Sequence, residues 1–476
     1  MIDFSWEHLK STSEIWARTP IKNRAQILSH AGEFLHAKQH DIFRCLREDG
    51  LSDVLAKRYA PWVLAQSEEA RLLIAARDMI DVKRLTTTFE ISIRRADGIV
   101  ALVTPGNSPT INAGTLFPIL LAGNGVLIRA PEHDAGVHLV IDSAIRPALR
   151  EYGLPDGLVQ VFTGKSREFL DALWDKSAVN TIVFFGNAKT GASVLSQAAI
   201  HQKKTILELE GSDWCLVWKD ADVTNAIASA SRAFDFSTQP CPIPKKFLVH
   251  DAVYDDFVSG LVHAARNAFR TIENDRSLGI LTPVLRLDDF EKSLHDAVAR
   301  GGEILIGGYR MNASLERDPA GVYVAPTVVS LRADSVHLDK CLLLHDEIGY
   351  PLIPVFRLSS NDEIAQTQIE HRISRDPFGL RFSMWSDDGA LIERLSASVQ
   401  RTGLFLVNNE HSMIPEFASP WGGPGRSGGP FGESHAFWKK TSREQVLIFE
   451  CTQRELARRS LVSLWGDTDH PGLEIL

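Results

Sequence analysis

The sequence predicts an α/β protein built on parallel sheets. Short apolar runs typical of buried strands alternate with stretches of helical periodicity between residues 99 and 210. The turns that leave these strands contain Gly or Pro, and parallel sheets bind their ligands at the carboxyl ends of the strands. The chain has 476 residues, a length that corresponds to two large domains or about three smaller ones.

The elements follow a regular order along the chain. Residues 21–48 place apolar side chains at three- and four-residue spacing, which predicts a helical stretch, and a second one runs roughly from 52 to 79. Residues 84–95 alternate and are rich in Thr and Ile, which predicts a strand. The series that follows contains predicted strands at 99–104, 125–130, 158–163, 181–185 and 205–210, with helices at 110–122, 135–149, 166–175 and 189–200.

A second α/β region extends from about residue 211 to residue 437. Its predicted strands include 246–250 and 351–356, and a last strand follows at 444–451. The segment 420–432 is the richest in glycine, so it must form either a tight ordered loop or a flexible flap.

Composition excludes several classes of protein. The chain is 44% apolar and 23% charged, which is ordinary for a globular protein. Its 51 basic residues against 60 acidic ones leave no basic excess for nucleic-acid binding. The five cysteines are too far apart for a disulfide framework or a zinc knuckle, which favours a reducing, cytoplasmic setting and no metal site. Neither a signal peptide nor an apolar run long enough to cross a membrane is expected.

Cys241 is the first residue that could carry chemistry. It lies between two prolines, just before a predicted strand, and Lys245 and Lys246 follow it. Positive neighbours favour a thiolate, although a free cysteine is more commonly a buried structural residue. The local sequence leaves both roles open.

Glu208 and Asn107 are the other two candidates. Glu208 shares one face of a predicted strand with Glu210, and two buried carboxylates are costly unless they have partners or a role in catalysis. Glu208 is therefore a candidate general base, unless the strand has ended and both carboxylates are solvated. Asn107 follows the first parallel strand, where it is either a turn or cap residue or an amide donor to a ligand.

Eight segments, taken in order, resemble motifs of the aldehyde dehydrogenase superfamily. The resemblance extends from Trp16 to about Val446, which is nearly the whole chain. Single short matches would be weak, but eight in the right order are specific. The segments are TPGNSP (104–109), LAGNGVLIRAPE (121–132), GLPDGLVQVFTG (153–164), FFGNAKTG (184–191), LELEG (207–211), TQPC (238–241), DEIGYPLIPV (346–355) and PWGGPGRSG (420–428).

The resemblance implies NAD(P)-dependent oxidation of an aldehyde to a carboxylic acid. Cys241 would add to the aldehyde as the nucleophile, through a thiohemiacetal and then a thioester. Asn107 and the backbone N–H of Cys241 would form the oxyanion hole, and Glu208 would activate the water that hydrolyses the thioester.

The resemblance also implies a cofactor site. Glu132 matches the glutamate that holds the adenine ribose, which favours NAD because a carboxylate repels the 2′-phosphate of NADP. Arg129 replaces the usual lysine and could accept that phosphate, so NADP stays open. Gly186, Asn187 and Gly191 match the pyrophosphate loop, and Glu347 matches the glutamate that binds the nicotinamide ribose. The remaining implied contacts are Thr104, Pro105, Gly164 and Leu209.

Several positions depart from the family motifs. Gly106 and Ser108 alter the asparagine motif, and Glu210 replaces the first glycine of the LELGG motif. Pro240 and Pro242 flank Cys241, and Gly349 replaces a phenylalanine that packs near the nicotinamide. These departures leave two alternatives, which are a coenzyme A-acylating aldehyde dehydrogenase or acyl reductase, and a catalytically silent nucleotide-binding relative. The presence of Glu208 favours hydrolysis.

The loop at 408–421 is expected to line the aldehyde tunnel. His411, Phe417 and Trp421 are the candidate substrate contacts, and Trp214 could also approach. Aromatic side chains there would favour an aromatic or medium apolar aldehyde.

The resemblance implies a fold of two Rossmann-like parallel-sheet domains plus a β oligomerisation arm. Residues 1–83 and 97–206 would form the NAD(P)-binding domain, and residues 207–437 the catalytic domain. Residues 84–96 and 438–476 would form the arm of a homodimer or homotetramer, in which 444–451 adds to a neighbour's sheet. The apolar end of the tail 456–476 is expected to pack on a neighbouring subunit.

Overall fold

The computed structural model describes most of the chain. Its described residues are 6–106, 109–131, 134–235, 240–274, 286–334, 336–413, 422–434 and 436–476. The α-helices are α1 (Trp6–Arg18), α2 (Ile21–His36), α3 (Gln39–Glu48), α4 (Asp53–Ala65), α5 (Glu69–Arg77), α6 (Pro109–Ala113), α7 (Leu116–Leu121), α8 (Ala135–Val140), α9 (Arg146–Glu151), α10 (Ser166–Asp171), α11 (Ala188–Ile200), α12 (Val223–Asp235), α13 (Asp251–Asn274), α14 (Arg286–Ala299), α15 (Leu342–His345), α16 (Asp362–Ser374), α17 (Gly389–Ser398), α18 (Phe437–Lys440) and α19 (Arg454–Trp465).

The strands form five sheets among the described residues. They are β1 (Ile80–Arg84), β2 (Thr88–Ala96), β3 (Ile99–Val103), β4 (Gly125–Ala130), β5 (Val159–Thr163), β6 (Val179–Phe185), β7 (Lys204–Glu208), β8 (Trp214–Val217), β9 (Lys246–Val249), β10 (Glu303–Ile306), β11 (Arg310–Met311), β12 (Tyr323–Val324), β13 (Thr327–Arg332), β14 (Leu352–Arg357), β15 (Arg381–Trp385), β16 (Leu404–Val407), β17 (Gly422–Gly425), β18 (Gly429–Ser434) and β19 (Ser442–Glu450).

The first parallel sheet has five strands in the order β5-β4-β3-β6-β7. Its central strand β3 is buried at every position, so the two faces of the sheet meet different cores. Val100 and Leu102 pack into the cluster that contains α2 to α5, whereas Ile99, Ala101 and Val103 face the cluster of α10 and α11. This is the doubly covered parallel sheet that the alternation of strands and helices predicts.

The second large sheet has seven strands in the order β10-β13-β14-β9-β8-β15-β16. All neighbours are parallel except the edge pair β10 and β13. Two parallel sheets covered by helices confirm the predicted α/β class. The domain boundaries stay a prediction.

Three predicted elements differ from the structure in their bounds. The helical stretch at 21–48 is divided into α2 and α3, and the stretch at 52–79 into α4 and α5. The breaks let α2 pack on α5 and α3 pack on α4, which one long helix could not do. The single strand predicted at 84–95 is wrong in its boundaries, because residues 85–87 form a turn between antiparallel β1 and β2.

A three-stranded antiparallel sheet joins distant parts of the chain in the order β1-β2-β19. The strand β19, predicted at 444–451, pairs with β2 along its whole length, from Ser442 opposite Ala96 to Glu450 opposite Thr88. It is the edge strand of this sheet, and its Val446 and Ile448 side chains are exposed. The described helices include none that is both long and apolar enough to cross a membrane.

The C-terminal tail packs on its own chain. Ala457, Leu461 and Trp465 lie on one face of α19 and are buried in the same core as α2. Lys22 binds Asp467 and Asp469 through ion pairs of 2.7 and 2.6 Å between nitrogen and oxygen. One apolar face of the tail is thus buried within the chain, whereas Leu456 and Ile475 stay exposed, so packing of its apolar end on a neighbouring subunit stays a prediction.

Replacement of Leu461 by alanine tests this packing. Leu461 is fully buried in the core shared by α19 and α2, so Leu461→Ala removes buried methylene groups and leaves a cavity. The free energy of unfolding, measured from urea denaturation, should fall by about 2–5 kcal/mol. Leu456 lies on the same helix with 52% of its surface exposed, so Leu456→Ala is the matched control. Equal effects of the two substitutions would contradict the packing.

Candidate active site

Three of the residues matched to the cofactor site meet at the carboxyl edge of the five-stranded sheet. The hydroxyl of Thr104 donates to the carbonyl oxygen of Arg129 at 2.8 Å. The Arg129 guanidinium donates in return to the carbonyl of Thr104 at 3.1 Å and to that of Gly164 at 2.7 Å. Burial lowers the pKa of Arg129. Arg129 thus fixes the ends of β3 and β5 through two backbone carbonyls, and the partly exposed Pro105 follows beside it.

Four more of these residues gather where α11 begins. The backbone N–H of Gly186 donates to the carbonyl of Glu208 at 2.9 Å, which extends the pairing of β6 with β7. The Asn187 side chain caps α11 by accepting from the N–H of Thr190 at 2.8 Å. Leu209 packs directly against Gly191. The predicted pyrophosphate loop therefore lies beside the strand end that carries Glu208.

Glu210 also lies at the N-terminus of α11. Its Oε1 accepts the backbone N–H of Ala188 at 2.9 Å, and its Oε2 forms an ion pair of 2.7 Å with Arg426. The sequence alone gives Glu210 no identified partner, and Arg426 is not among the predicted site residues. The signal was available, because Arg426 is the only charged residue in the glycine-rich segment 420–432.

The described part of the glycine-rich segment is a tight hairpin of β17 and β18. Its backbone runs against the strand end that carries the carboxylates. The N–H of Leu209 donates to the carbonyl of Ser427 at 3.0 Å, and that of Glu210 to the carbonyl of Arg426 at 3.3 Å. Of the two alternatives for residues 422–432, the ordered loop is confirmed.

Cys241 is held against the same strand end. A side-chain carbon added at Gly211 would lie 2.3 Å from the carbonyl oxygen of Cys241, so the two backbones are in direct contact. Cys241 itself is partly exposed. Because Gly211 follows Glu208 by three residues, the contact places the predicted nucleophile and the predicted base in one site.

The charges around Cys241 act in opposite directions. Burial raises the pKa of the Cys241 thiol, and the carboxylates of Glu208 and Glu347 add to this effect. Lys245 and Arg381 oppose it. Two cations therefore favour the thiolate form, while the two carboxylates disfavour it.

Glu347 belongs to a small ion-pair cluster next to Cys241. Its Oε1 accepts from the N–H of Gly211 at 3.2 Å and from Lys245 Nζ at 3.4 Å, and its Oε2 pairs with Arg286 at 3.2 Å. A carbon added at Gly349 would lie only 1.7 Å from Arg286 Nη1. The Arg286 guanidinium therefore occupies the space that a larger side chain at position 349 would fill.

Further buried charges lie at the adjoining ends of β8, β9 and β15. Lys246 is fully buried, pairs with Asp376 at 3.0 Å and lies 4.7 Å from the centre of the Trp214 ring. Burial and the neighbouring Asp376 raise the pKa of Asp213 to about 7. Arg381 donates to the carbonyls of His411 and Met413 at 2.6 Å. Sequence analysis missed Arg286, Asp213 and Arg381, because each acts through contacts that only the fold creates.

His411 does not fit the role predicted for it. The side chain is fully buried, and its Nδ1 lies 2.9 Å from Ser383 Oγ and 3.3 Å from Cys215 Sγ. Burial lowers its pKa well below the usual range. His411 is thus a core residue of the β8 and β15 layer rather than the wall of a tunnel. Trp214, which was thought to approach the substrate, is also buried in the core.

Four predicted site residues lie outside the described part of the chain. They are Asn107, Glu132, Phe417 and Trp421. Across the described ranges, no three His, Cys, Asp or Glu side chains are grouped as metal ligands would be.

Known proteins are similar to this chain over most of its length. The model of the aldehyde dehydrogenase family matches residues 3–446. A lactaldehyde dehydrogenase from Methanocaldococcus jannaschii is 24% identical over 91% of this chain and 90% of its own length. A betaine aldehyde dehydrogenase from Bacillus subtilis is 28% identical over 71% of this chain, and the match spans 66% of that protein. A 4,4′-diapolycopene aldehyde oxidase from a Methylomonas species is 30% identical over 72% of this chain, and the match spans 60% of that protein.

Solved structures share the fold. The glyceraldehyde-3-phosphate dehydrogenase GapN of Methanocaldococcus jannaschii, solved with NADP, has a TM-score of 0.78 and 22% identity, with 93% of this chain and 92% of that chain covered. PnpE, solved with nicotinamide adenine dinucleotide, has the same TM-score and identity, with 93% and 88% covered.

Replacement of Gly211 by alanine tests the backbone contact at the site. The added methyl group would overlap the Cys241 carbonyl, so the Cys241 loop must move, at a cost of about 1–3 kcal/mol in the free energy of unfolding. Alkylation of Cys241 by iodoacetamide, followed by peptide mass spectrometry, should change in rate in Gly211→Ala. Gly389→Ala is the control, because an added carbon there meets nothing within 4 Å. Unchanged alkylation of Gly211→Ala would show that the contact does not position the thiol.

Proposed function

Because the chain belongs to the aldehyde dehydrogenase family, we propose that it oxidises an aldehyde to a carboxylic acid with NAD or NADP. The observation that supports this activity most directly is the backbone contact between Gly211 and Cys241. It joins the strand end that carries Glu208 to the loop that carries the thiol. The contact supports a site in which the proposed nucleophile and the proposed base act together, as two-step acyl chemistry requires.

The edge of the five-stranded sheet suits a dinucleotide. Thr104, Arg129 and Gly164 meet there through the hydrogen bonds of Arg129, and α11 begins at the same edge of the sheet. When bound, the nicotinamide would accept the hydride that the aldehyde carbon loses when the thiohemiacetal becomes a thioester. Arg129 already serves two backbone carbonyls, which favours NAD over a cofactor whose 2′-phosphate would need that guanidinium.

Cys241 is proposed as the nucleophile of the first step. Its thiolate attacks the carbonyl carbon of the aldehyde, a C–S bond forms, and the carbonyl oxygen takes the negative charge. The backbone N–H of Cys241, with Asn107, is proposed to donate to that oxygen. Lys245 and Arg381 favour the thiolate against the effects of burial, Glu208 and Glu347.

Glu208 is proposed as the base of the hydrolytic step. It lies at the end of β7 with only 3% of its surface exposed. It takes a proton from a water molecule whose oxygen attacks the thioester carbon. The C–S bond then breaks, Cys241 leaves as a thiolate, and the acid is released.

The oligomeric state and the cellular compartment are also proposals. The exposed edge of β19 supports a homodimer or homotetramer in which this strand adds to a neighbour's sheet. All five cysteines are free thiols, which supports a reducing, cytoplasmic setting.

Replacement of Cys241 by alanine tests the nucleophile. Without a thiol no covalent intermediate forms, so NADH formation from a panel of aldehydes should fall at least about 10³-fold. Cys451→Ala is the matched control, because Cys451 is a free, partly exposed cysteine near the end of β19. Retained activity in Cys241→Ala would refute the assignment.

Replacement of Glu208 by glutamine separates hydrolysis from acyl transfer to a thiol. Glutamine keeps the shape but cannot take a proton, so steady-state turnover should fall about 10²–10⁴-fold while a first burst of NADH remains. Mass spectrometry should then find an acyl group on Cys241. If the wild-type protein needed coenzyme A for turnover, the chain would be an acylating enzyme and the hydrolytic role of Glu208 would be wrong.

A further inference from the structure

Glu210 places a negative charge where the proposed function requires a diphosphate. Its Oε1 accepts the N–H of Ala188, the first residue of α11, at 2.9 Å. The N-terminus of a helix carries partial positive charge and unpaired N–H groups, and it binds phosphate for that reason. The residue in the resembled LELGG motif is glycine, which has no charge to place there.

Arg426 neutralises this carboxylate. Its Nη2 and Nε lie 2.7 and 3.0 Å from Glu210 Oε2, and its Nη1 donates to the carbonyl of His345 and lies 3.4 Å from Asp346 Oδ1. Arg426 therefore links the N-terminus of α11, through Glu210, to the residues that directly precede Glu347.

The two partners differ in their freedom to move. The Glu210 side chain is 10% exposed, whereas that of Arg426 is 36% exposed. The backbones of both residues are fixed, because the N–H of Glu210 donates to the carbonyl of Arg426 at 3.3 Å. A rotation of the two side chains could therefore exchange their partners without any change in the hairpin.

We propose that Glu210 and Arg426 set the cofactor affinity of this chain. Glu210 competes with the cofactor diphosphate for the N-terminus of α11, and Arg426 pairs with the diphosphate when Glu210 yields that position. The inference rests on the proposed function and adds to it a pair of residues that determine affinity. It concerns the carboxylate of Glu210, which stands where the resembled motif has glycine.

The test is direct binding of nucleotides, measured by titration calorimetry without aldehyde. Glu210→Gln keeps the size and an oxygen that can accept from Ala188, and removes only the charge. The Kd for NAD should fall about tenfold in this variant, since a repulsive charge next to the ligand is gone. ADP-ribose, which carries the same diphosphate, should gain equally, and AMP, which has one phosphate, should gain less.

The test includes a control variant at another helix N-terminus and a second substitution at position 210. Asp388 also accepts an N–H at a helix N-terminus, that of Leu391 in α17, so Asp388→Asn removes the same charge elsewhere and should leave the Kd for NAD unchanged. Glu210→Gly restores the glycine of the LELGG motif. If Glu210→Gln fails to fold, the Kd of Glu210→Gly for NAD is compared with that of the wild-type chain instead. An unchanged or higher Kd in the folded variants, or an equal gain with AMP, would overturn the role of Glu210.

Arg426 is tested in both backgrounds. Arg426→Gln should raise the Kd for NAD about tenfold in the wild-type chain and should still raise it in the Glu210→Gln variant. If Arg426→Gln left the Kd of the Glu210→Gln variant unchanged, Arg426 would serve only to neutralise Glu210. The proposal that Arg426 pairs with the diphosphate would then be wrong. If the wild-type protein bound neither NAD nor NADP, the proposed function itself would fail, which is a distinct outcome.

Discussion

The site depends on the close approach of three backbones at Gly211. The carbonyl of Cys241 lies against the α-carbon of Gly211, and the N–H of Gly211 donates to Glu347. The preceding residues, Leu209 and Glu210, bond to the glycine-rich hairpin. No side chain could be placed at position 211 without separating these segments. The end of β7 therefore joins the two parallel sheets, and the positions of the thiol, the base and the ion pairs follow from that junction.

The junction also explains why so many charges are buried near it. Lys245 and Lys246 are both fully buried just after Cys241, and a buried cation is stable only with a partner. Lys245 reaches Glu347 and Lys246 reaches Asp376, which lie on different loops of the seven-stranded sheet. Each pair ties the Cys241 loop to a further segment. The electrostatic environment of the thiol is thus part of what holds the loop in place.

The succession of strands and helices along the chain was easier to predict from the sequence than the side chains that contact each site residue. The apolar run of β3 is easily recognised in the sequence, because a strand covered on both faces must be apolar at every position. The contacts of Arg286 and Arg381 were not visible, since each guanidinium meets a group far away in the chain. The burial of His411 was not visible in the sequence for a related reason. A histidine in a loop looks available in the sequence, and only the packing of Ser383 and Cys215 around it shows that it is core.

Two of the departures from the motifs, Glu210 and Gly349, each lie against a residue from another segment that compensates for the change. Glu210, which adds a charge, lies against Arg426, which supplies the opposite one. Gly349, which removes a side chain, makes room for the Arg286 guanidinium, and Arg286 in turn binds Glu347. A site that had lost its function would accumulate single changes, and a new buried carboxylate would remain without a partner at a cost to stability. Because the changes at positions 210 and 349 are both compensated by a residue from another segment, these two altered motifs are better explained by a working site with its own cofactor and substrate requirements than by a silent relative.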